Sequence, residues 1–138
     1  MGNINLLAVI LAAATFFVVG SIWYGIFFGK TWQKELGLSD ADLKGGNMAK
    51  IYGLTFLLEL VMCLMLGHNI ARTSPPPHVI MMMATGFGAT IIAPAIGINY
   101  LFQRRSLKLF AIDSGHFIIG LMAAGGVFIL FAQGQNPV

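Results

Sequence analysis

The chain has 138 residues, of which 57% are hydrophobic and only 9% are charged, and its mean hydropathy is +0.82. A soluble domain of this size needs more polar surface to cover its core, so the composition excludes a soluble globular protein and is typical of a protein that faces lipid. The formal charge of +3 does not indicate nucleic-acid binding, because the basic residues lie at the ends of apolar stretches and form no run interleaved with aromatic residues.

Four apolar stretches are each long enough to cross about 30 Å of hydrocarbon, which takes roughly 20 helical residues. They predict spans at approximately 4–28, 48–71, 78–102 and 109–132, in one all-α domain over residues 1–138 that forms an integral membrane four-helix bundle. The first stretch lacks a preceding basic region and exceeds the usual apolar region of a signal peptide, so we expect it to remain in the protein.

The first connection is the only sizeable loop, and we expect it to lie on the membrane surface. Residues 31–36 favour an interfacial helical turn closed by Gly37, with Trp32 at headgroup level. Ser39, followed three residues later by Asp42, predicts a capping box at the start of a second short helix.

The other connections are short, and the basic residues distinguish them. Three successive prolines, at positions 75–77, prevent a helix in the second connection, and a tight basic turn over residues 103–108 forms the third. Positive residues stay on the cytoplasmic side, so their distribution predicts that both termini face outward, N-out and C-out. The basic residues are Lys30, Lys34, Lys44 and Lys50 in or beside the first connection, Arg72 in the second, and Arg104, Arg105 and Lys108 in the third.

Helices in lipid associate through close packing of small residues. Such residues recur at every fourth position: Gly25 and Gly29 in the first span, Thr85, Ala89, Ala93 and Gly97 in the third, and Gly120 and Ala124 in the fourth. They indicate helix packing either within one chain or between protomers. Pro94 removes a backbone hydrogen bond and predicts a kink in the third span, as architecture or as the seat of a cavity.

Three ionisable side chains lie inside the spans, where a charge costs at least a few kcal/mol. Glu59 is near the centre of the second span, with Thr55 and Cys63 one helical turn away on either side. It either exchanges a proton, as carboxylates do in proton-coupled transporters, or is protonated and bonds to a neighbouring helix as a structural contact. Asp113 and His116 are three residues apart and therefore share a face of the fourth span.

The third span brings Asn99 to a similar depth, so Asn99, Asp113 and His116 are expected to form one cluster. Two interpretations of this cluster stay open. Arg104 or Arg105 pairs with Asp113 and fixes the hairpin, or the cluster is a site for a ligand or a proton. Glu59 is expected some 8–10 Å deeper, near enough for a water-linked relay.

No metal site and no cofactor is expected. The single cysteine, Cys63, cannot form a disulfide framework or a zinc site within one chain, and the methionines at 81–83 point in different directions on a helix. The sequence has no nucleophile and base at catalytic spacing, no glycine-rich phosphate loop and no cluster of metal ligands. We therefore expect that the protein is not an enzyme.

Several segments resemble those of a known family. They are Trp23-Tyr24-Gly25, Phe28-Gly29-Lys30-x-Trp32, Asn47-Met48-Ala49-Lys50 and Ala93-Pro94-Ala95-Ile96-x-Ile98-Asn99-Tyr100-Leu101-Phe102-x-Arg104-Arg105-Ser106-x-Lys108. Over nearly the whole chain the sequence resembles the uncharacterised bacterial membrane family catalogued as domain of unknown function 1761. The resemblance implies a four-helix inner-membrane protein and supplies neither a function nor a catalytic residue.

Two functional hypotheses follow from the sequence. The first is a helix-packing protein, either a homo-oligomer or an accessory subunit of a larger membrane complex. The alternative is an oligomeric proton-coupled transporter or channel for a small solute, using Glu59 or the pair Asp113 and His116, because four helices can hardly enclose a solute path alone. In both, the expected partners are the lipid bilayer and other membrane-embedded chains, with no nucleic acid, and the expected location is a bacterial inner membrane, crossed several times.

Overall fold

Residues 3–134 are described by a computed structural model. Four helices in this range are long and apolar enough to cross a membrane, at Leu6–Phe27, Met48–Thr73, Pro77–Phe102 and Leu107–Gln133, and are called spans one to four. The described residues contain no strand. The prediction of an all-α fold with four membrane-length helices is confirmed, and the observed helices begin and end within a few residues of the predicted spans.

The first loop carries two short helices, and two of the spans contain a π-helical turn. In chain order the elements are α1 (Leu6–Ile22), a first π turn (Trp23–Phe27), α2 (Gly29–Leu36), α3 (Asp40–Lys44), α4 (Met48–Thr73), α5 (Pro77–Phe87), a second π turn (Gly88–Ile92), α6 (Ala93–Phe102) and α7 (Leu107–Gly134). Span two is therefore α4 and span four is α7, whereas span one ends in a π turn and span three is interrupted by one.

Both short helices of the first loop have the ends that the sequence predicts. Helix α2 ends at Gly37, which adopts the left-handed conformation with φ of 68°. Before α3, the Asp42 N–H donates to the Ser39 hydroxyl at 3.1 Å, and the Ser39 N–H donates to the Asp42 carboxylate at 2.8 Å. This second bond holds the pKa of Asp42 below its usual range. The predicted capping box is confirmed.

Defined residues start the four spans. Spans one, two and four are each preceded by a polar residue: Asn5, Asn47 and Ser106, respectively. The side-chain oxygen of each accepts a hydrogen bond from the backbone N–H three residues further on. Span three begins instead at Pro77, whose missing N–H has no cost in the first turn of a helix. The chain therefore enters every span at a fixed point.

The spans pack in the spatial order two, one, four, three. Span one lies in the middle and buries Ala8, Ala12, Ala13 and Phe16 completely against its neighbours. Span two packs on span one and touches spans three and four at few positions. A groove of about 400 Å³ consequently lies between spans two and three, although these spans are consecutive in the chain.

The second π turn changes which face of span three meets span four. Ala84 and Gly88 are buried four residues apart, but the next buried position, Ala93, comes five residues later. A π turn holds one residue more than an α-helical turn, which accounts for this step. The turn ends at Ile92, two residues before Pro94, which has no N–H to bond to the preceding turn. Span three therefore departs from α-helical geometry next to Pro94, the residue at which the sequence predicts a kink.

Three of the predicted packing positions lie outside the contacts between helices in this chain. Ala89 is exposed because the π turn shifts the contact face to Gly88. Gly25 is also exposed, and a Cβ there would have no neighbour within 4 Å. At Gly29 an added Cβ would overlap the Tyr24 carbonyl oxygen, so the backbone after the first π turn requires glycine. As positions of packing within one chain, these three predictions are wrong.

The remaining packing positions lie where spans touch. Ala93 and Ala124 are buried. A Cβ added at Gly97 would lie 3.1 Å from the Phe110 ring, and one at Gly120 would lie 2.6 Å from the Phe16 ring. Gly88 allows the closest approach of two backbones, since its Cβ would lie 2.9 Å from the Cα of Ile118.

We expect Gly120→Ala to destabilise the protein by about 1–3 kcal/mol, because overpacking against a buried side chain costs this much. The new methyl group would lie 2.6 Å from the fully buried Phe16 ring. Gly126→Ala is the control in the same span, since an added Cβ there has no neighbour within 4 Å. It should be neutral or stabilising by up to about 1 kcal/mol, through helix propensity. Thermal unfolding in one detergent measures both, and equal losses would contradict the assigned contact.

Candidate functional site

The carboxylate of Asp113 joins three of the four spans. Asp113 lies in span four, about two helical turns from its first residue, and is 8% exposed. It accepts a hydrogen bond of 2.5 Å from the hydroxyl of Tyr24 in span one and a second from the hydroxyl of Tyr100 in span three. Hydrogen bonds to a carboxylate are among the stronger ones, and few alternatives exist in lipid. We call these three residues the aspartate hub.

The first π turn lies where span one contributes to the hub. Phe28 N–H bonds to the carbonyl of Trp23 five residues back, at 2.8 Å, and the wide turn contains both Trp23 and Tyr24. The Trp23 indole N–H donates to the Ile112 carbonyl at 2.9 Å. Gly115 makes room for the indole ring, because a Cβ there would lie 2.8 Å from it. Two consecutive aromatic residues of span one therefore bond to two consecutive residues of span four.

The ion pair between Asp113 and the basic turn, one of the two interpretations left open by the sequence, is not formed within residues 3–134. Arg104 and Arg105 are exposed, and among residues 3–134 neither has a carboxylate within 4 Å. Arg104 adopts the left-handed conformation, with φ of 57°, in the turn that follows span three. Tyr100, one helical turn before it, supplies the partner of Asp113 on this side.

Asn99 does not belong to the cluster that the sequence predicts. Its side chain is exposed, and the next residue, Tyr100, faces span four instead. Consecutive residues point about 100° apart on a helix, so an estimate of depth alone does not determine which of two neighbouring side chains faces span four.

His116 lies beside the hub in an aromatic environment. It is 7% exposed, and its ring centroid lies 5.1 Å from that of Tyr24, 5.5 Å from Phe16 and 4.8 Å from Phe117. Its Nε2 atom faces Gly20, where a Cβ would lie 2.8 Å away. This nitrogen has no hydrogen-bond partner among the described residues. Tyr24 thus contacts both Asp113 and His116.

Glu59 is buried in span two, away from the hub. It is 2% exposed, and its Oε2 atom has no hydrogen-bond partner within residues 3–134. The Thr55 hydroxyl donates to the Ile51 carbonyl of its own helix, at 2.7 Å. Contacts between Phe17 and Phe56 and between Val9 and Gly67 set the antiparallel register of spans one and two. This register places Glu59 roughly 6–9 Å along the helix axes from the level of His116.

A second polar contact joins the two loops on the side of the basic turn. The Ser106 hydroxyl donates to the Glu35 carboxylate of α2 at 2.5 Å and also accepts the N–H of Leu109 at 3.1 Å. The Lys108 ammonium lies 3.9 Å from the other oxygen of Glu35. Helix α2 is thereby fixed to the start of span four. Within the described residues, no group of three or more His, Cys, Asp and Glu side chains is placed to hold a metal ion.

Sequence reasoning missed Trp23, Tyr24 and Tyr100. These residues are uncharged and amphipathic, and tyrosine and tryptophan near a membrane surface are usually interpreted as interfacial anchors. All three lie in the segments that carry the family resemblance. Their position in these segments is the sequence signal that could have indicated a role beyond anchoring.

Four apolar helices of membrane-spanning length, three of them joined by a polar hub, define a small multi-pass membrane protein. The chain belongs to the family described as protein of unknown function, DUF1761, whose model matches residues 7–129. No curated protein and no protein of solved structure matches it significantly.

Tyr24→Phe is expected to destabilise the protein by about 1–2 kcal/mol, because it removes one of the two donors to a buried carboxylate. Tyr52→Phe is a matched control, since Tyr52 is 54% exposed and its hydroxyl forms no hydrogen bond among the described residues. It should change stability by less than about 0.5 kcal/mol. Unfolding in detergent measures each variant. The double variant of Tyr24 and Tyr100 should lose more than the sum of the single losses, and strict additivity would contradict a shared acceptor.

Proposed function

We propose that the protein is a helix-packing component of membrane assemblies, either as a homo-oligomer or as an accessory subunit of a larger membrane complex. The polar side chains of the hub are engaged with one another and hold spans one, three and four in a fixed arrangement. A surface on such a fixed unit can be recognised by another helix without a large loss of conformational freedom.

The outward face of span three carries the proposal. A shallow depression of about 500 Å³ lies on this face, and the small residues that line it are Thr85, Gly86, Ala89 and Thr90. Small side chains allow a second helix backbone to approach closely, which is the main source of helix association in lipid. The two threonine hydroxyls donate to carbonyls of their own helix, so burial of this face leaves no unpaired hydroxyl proton.

On this face a predicted small-residue position, Ala89, is available for packing against another chain. The contact with span four uses Ala84 and Gly88, whereas Ala89 faces outward. Packing between protomers, which the sequence left as an alternative, therefore gains support at Ala89. The proposed occupant is a transmembrane helix of a second copy or of a larger complex.

Location and orientation form part of the proposal. We place the protein in a bacterial inner membrane with both termini outside, because seven of its eight lysine and arginine residues lie in or beside the first and third connections. The proposed role is not enzymatic, in agreement with the lack of a catalytic motif in the sequence.

Ala89→Leu is expected to weaken association by about tenfold or more, because a large side chain would keep the second helix away from the depression. Ala95→Leu is the matched control, as Ala95 is an exposed alanine of the same span that does not line the depression. Native mass measurement in lipid nanodiscs, supported by cross-linking in native membranes, reports the copy number and any co-purifying chain. An unchanged assembly in Ala89→Leu, or an equal loss in Ala95→Leu, would contradict the assigned face.

A second candidate function is a proton-coupled transporter or channel assembled from several copies. Three buried side-chain polar atoms have no hydrogen-bond partner within residues 3–134: Glu59 Oε2, Ser114 Oγ and His116 Nε2. The observation in favour of this candidate is that two of the three, Glu59 Oε2 and His116 Nε2, belong to groups that can exchange a proton. Buried polar groups are normally bonded, and unpaired ones often mark sites of chemistry. Tyr24 contacts both Asp113 and His116, so these three side chains form a continuous series from the end of span four that begins at the basic turn. In this candidate function, a proton would pass between His116 and Glu59 through water.

Glu59→Gln tests this candidate, because glutamine preserves shape and hydrogen bonding but cannot release a proton. If Glu59 carries the proton, proton flux in reconstituted liposomes should fall roughly 100-fold or more. Glu35→Gln, a change of the same type in α2 at the membrane surface, should leave the flux nearly unchanged. Flux in Glu59→Gln equal to that of the unaltered protein would remove proton transport through this residue.

A further inference from the structure

The basic turn after span three presents two arginine side chains that have no ion-pair partner among residues 3–134. Arg104 and Arg105 are exposed, and of the described residues no carboxylate lies within 4 Å of either guanidinium group. The carboxylate beside this loop, that of Glu35, is already bonded to Ser106 and lies 3.9 Å from the Lys108 ammonium. The two guanidinium groups therefore keep all their donors for another ligand.

The backbone that carries these side chains is held by hydrogen bonds. Gln103 N–H bonds to the Asn99 carbonyl at 3.0 Å, Arg104 N–H to Leu101 at 3.2 Å, and Arg105 N–H to Tyr100 at 2.9 Å. Tyr100 is in turn a member of the aspartate hub. The turn is thus connected directly to the best-bonded part of the protein, and a ligand there has little backbone to order.

Large apolar side chains flank the two arginines on the membrane side. Leu101 is 80% exposed and Phe102 is 87% exposed at the end of span three, and Leu107 is 80% exposed at the start of span four. At the ends of membrane-spanning helices, such residues face acyl chains. A positive group next to an apolar surface has the amphipathic character of a phospholipid site.

We propose that the basic turn binds the headgroup of an anionic phospholipid. Arg104 and Arg105 contact the phosphate oxygens, and Phe102 and Leu107 contact the first part of the acyl chains. A guanidinium group presents a planar fork that matches phosphate oxygens in pairs. The two guanidinium charges favour an anionic over a zwitterionic headgroup, because no carboxylate of residues 3–134 lies within 4 Å of either to offset them.

The test is native mass spectrometry of the full, delipidated chain with phosphatidylglycerol or phosphatidylcholine at equal concentrations. The unaltered protein should retain phosphatidylglycerol preferentially. R104Q/R105Q should weaken phosphatidylglycerol binding roughly tenfold, because each basic residue near a headgroup contributes to anionic lipid attraction. K44Q/K50Q removes the same charge from α3 and the first turn of α4, where both lysines are exposed, and should weaken binding less than about twofold.

R104K/R105K keeps the charge that orients the protein in the membrane but loses the guanidinium fork, and a several-fold loss of binding is expected. Equal retention of both lipids would overturn the proposal, as would full retention in R104Q/R105Q or R104K/R105K. If K44Q/K50Q lost as much binding as R104Q/R105Q, the attraction would depend on the total positive charge and not on the basic turn. This result would also overturn the proposal. Excess inorganic phosphate should not displace the lipid, and displacement would instead assign a site for a free anion.

Discussion

The fold depends on how one carboxylate in the membrane interior is satisfied. Asp113 is buried among apolar helices, where an unpaired carboxylate is costly, and it takes its hydrogen bonds from tyrosine hydroxyls of two other spans. Neighbouring lipid offers no competing donor, so these bonds set the positions of spans one, three and four relative to one another. Small residues then determine how closely the helices approach, as Gly88 and Gly120 do.

Span two is joined to this unit in a different way. It packs on span one through aromatic and small residues, and no side-chain hydrogen bond within residues 3–134 links it to another span. Its carboxyl group, that of Glu59, is buried with one oxygen unpaired. The molecule thus combines three spans fixed by polar contacts with a fourth held by apolar packing on one neighbour. The two proposed contacts, with another helix at Ala89 and with lipid headgroups at the basic turn, both involve the part that the polar contacts hold.

Hydrophobicity predicted the number and extent of the spans, because membrane thickness requires long apolar helices whatever the rest of the fold does. Which residues face one another was harder to predict. The second π turn adds a residue to one turn and moves the contact from Ala89 to Gly88, and Pro94 gave a local indication of it. No proline marks the first π turn, which contains Tyr24. The sequence therefore predicted that Asp113 and His116 share a face of span four, but neither interpretation of their cluster included tyrosine as the partner of Asp113.

The most direct test of this account is solid-state NMR of the protein in lipid bilayers, with carbon-13 in its aspartate, tyrosine and arginine side chains. Asp113→Asn identifies the carboxyl resonance of position 113. The account predicts through-space cross peaks from this carbon to the Cζ carbons of both Tyr24 and Tyr100, and none to an arginine Cζ. Cross peaks to Arg104 or Arg105 in place of the tyrosines would contradict it, because the basic turn would then neutralise the carboxylate that the hub is built on.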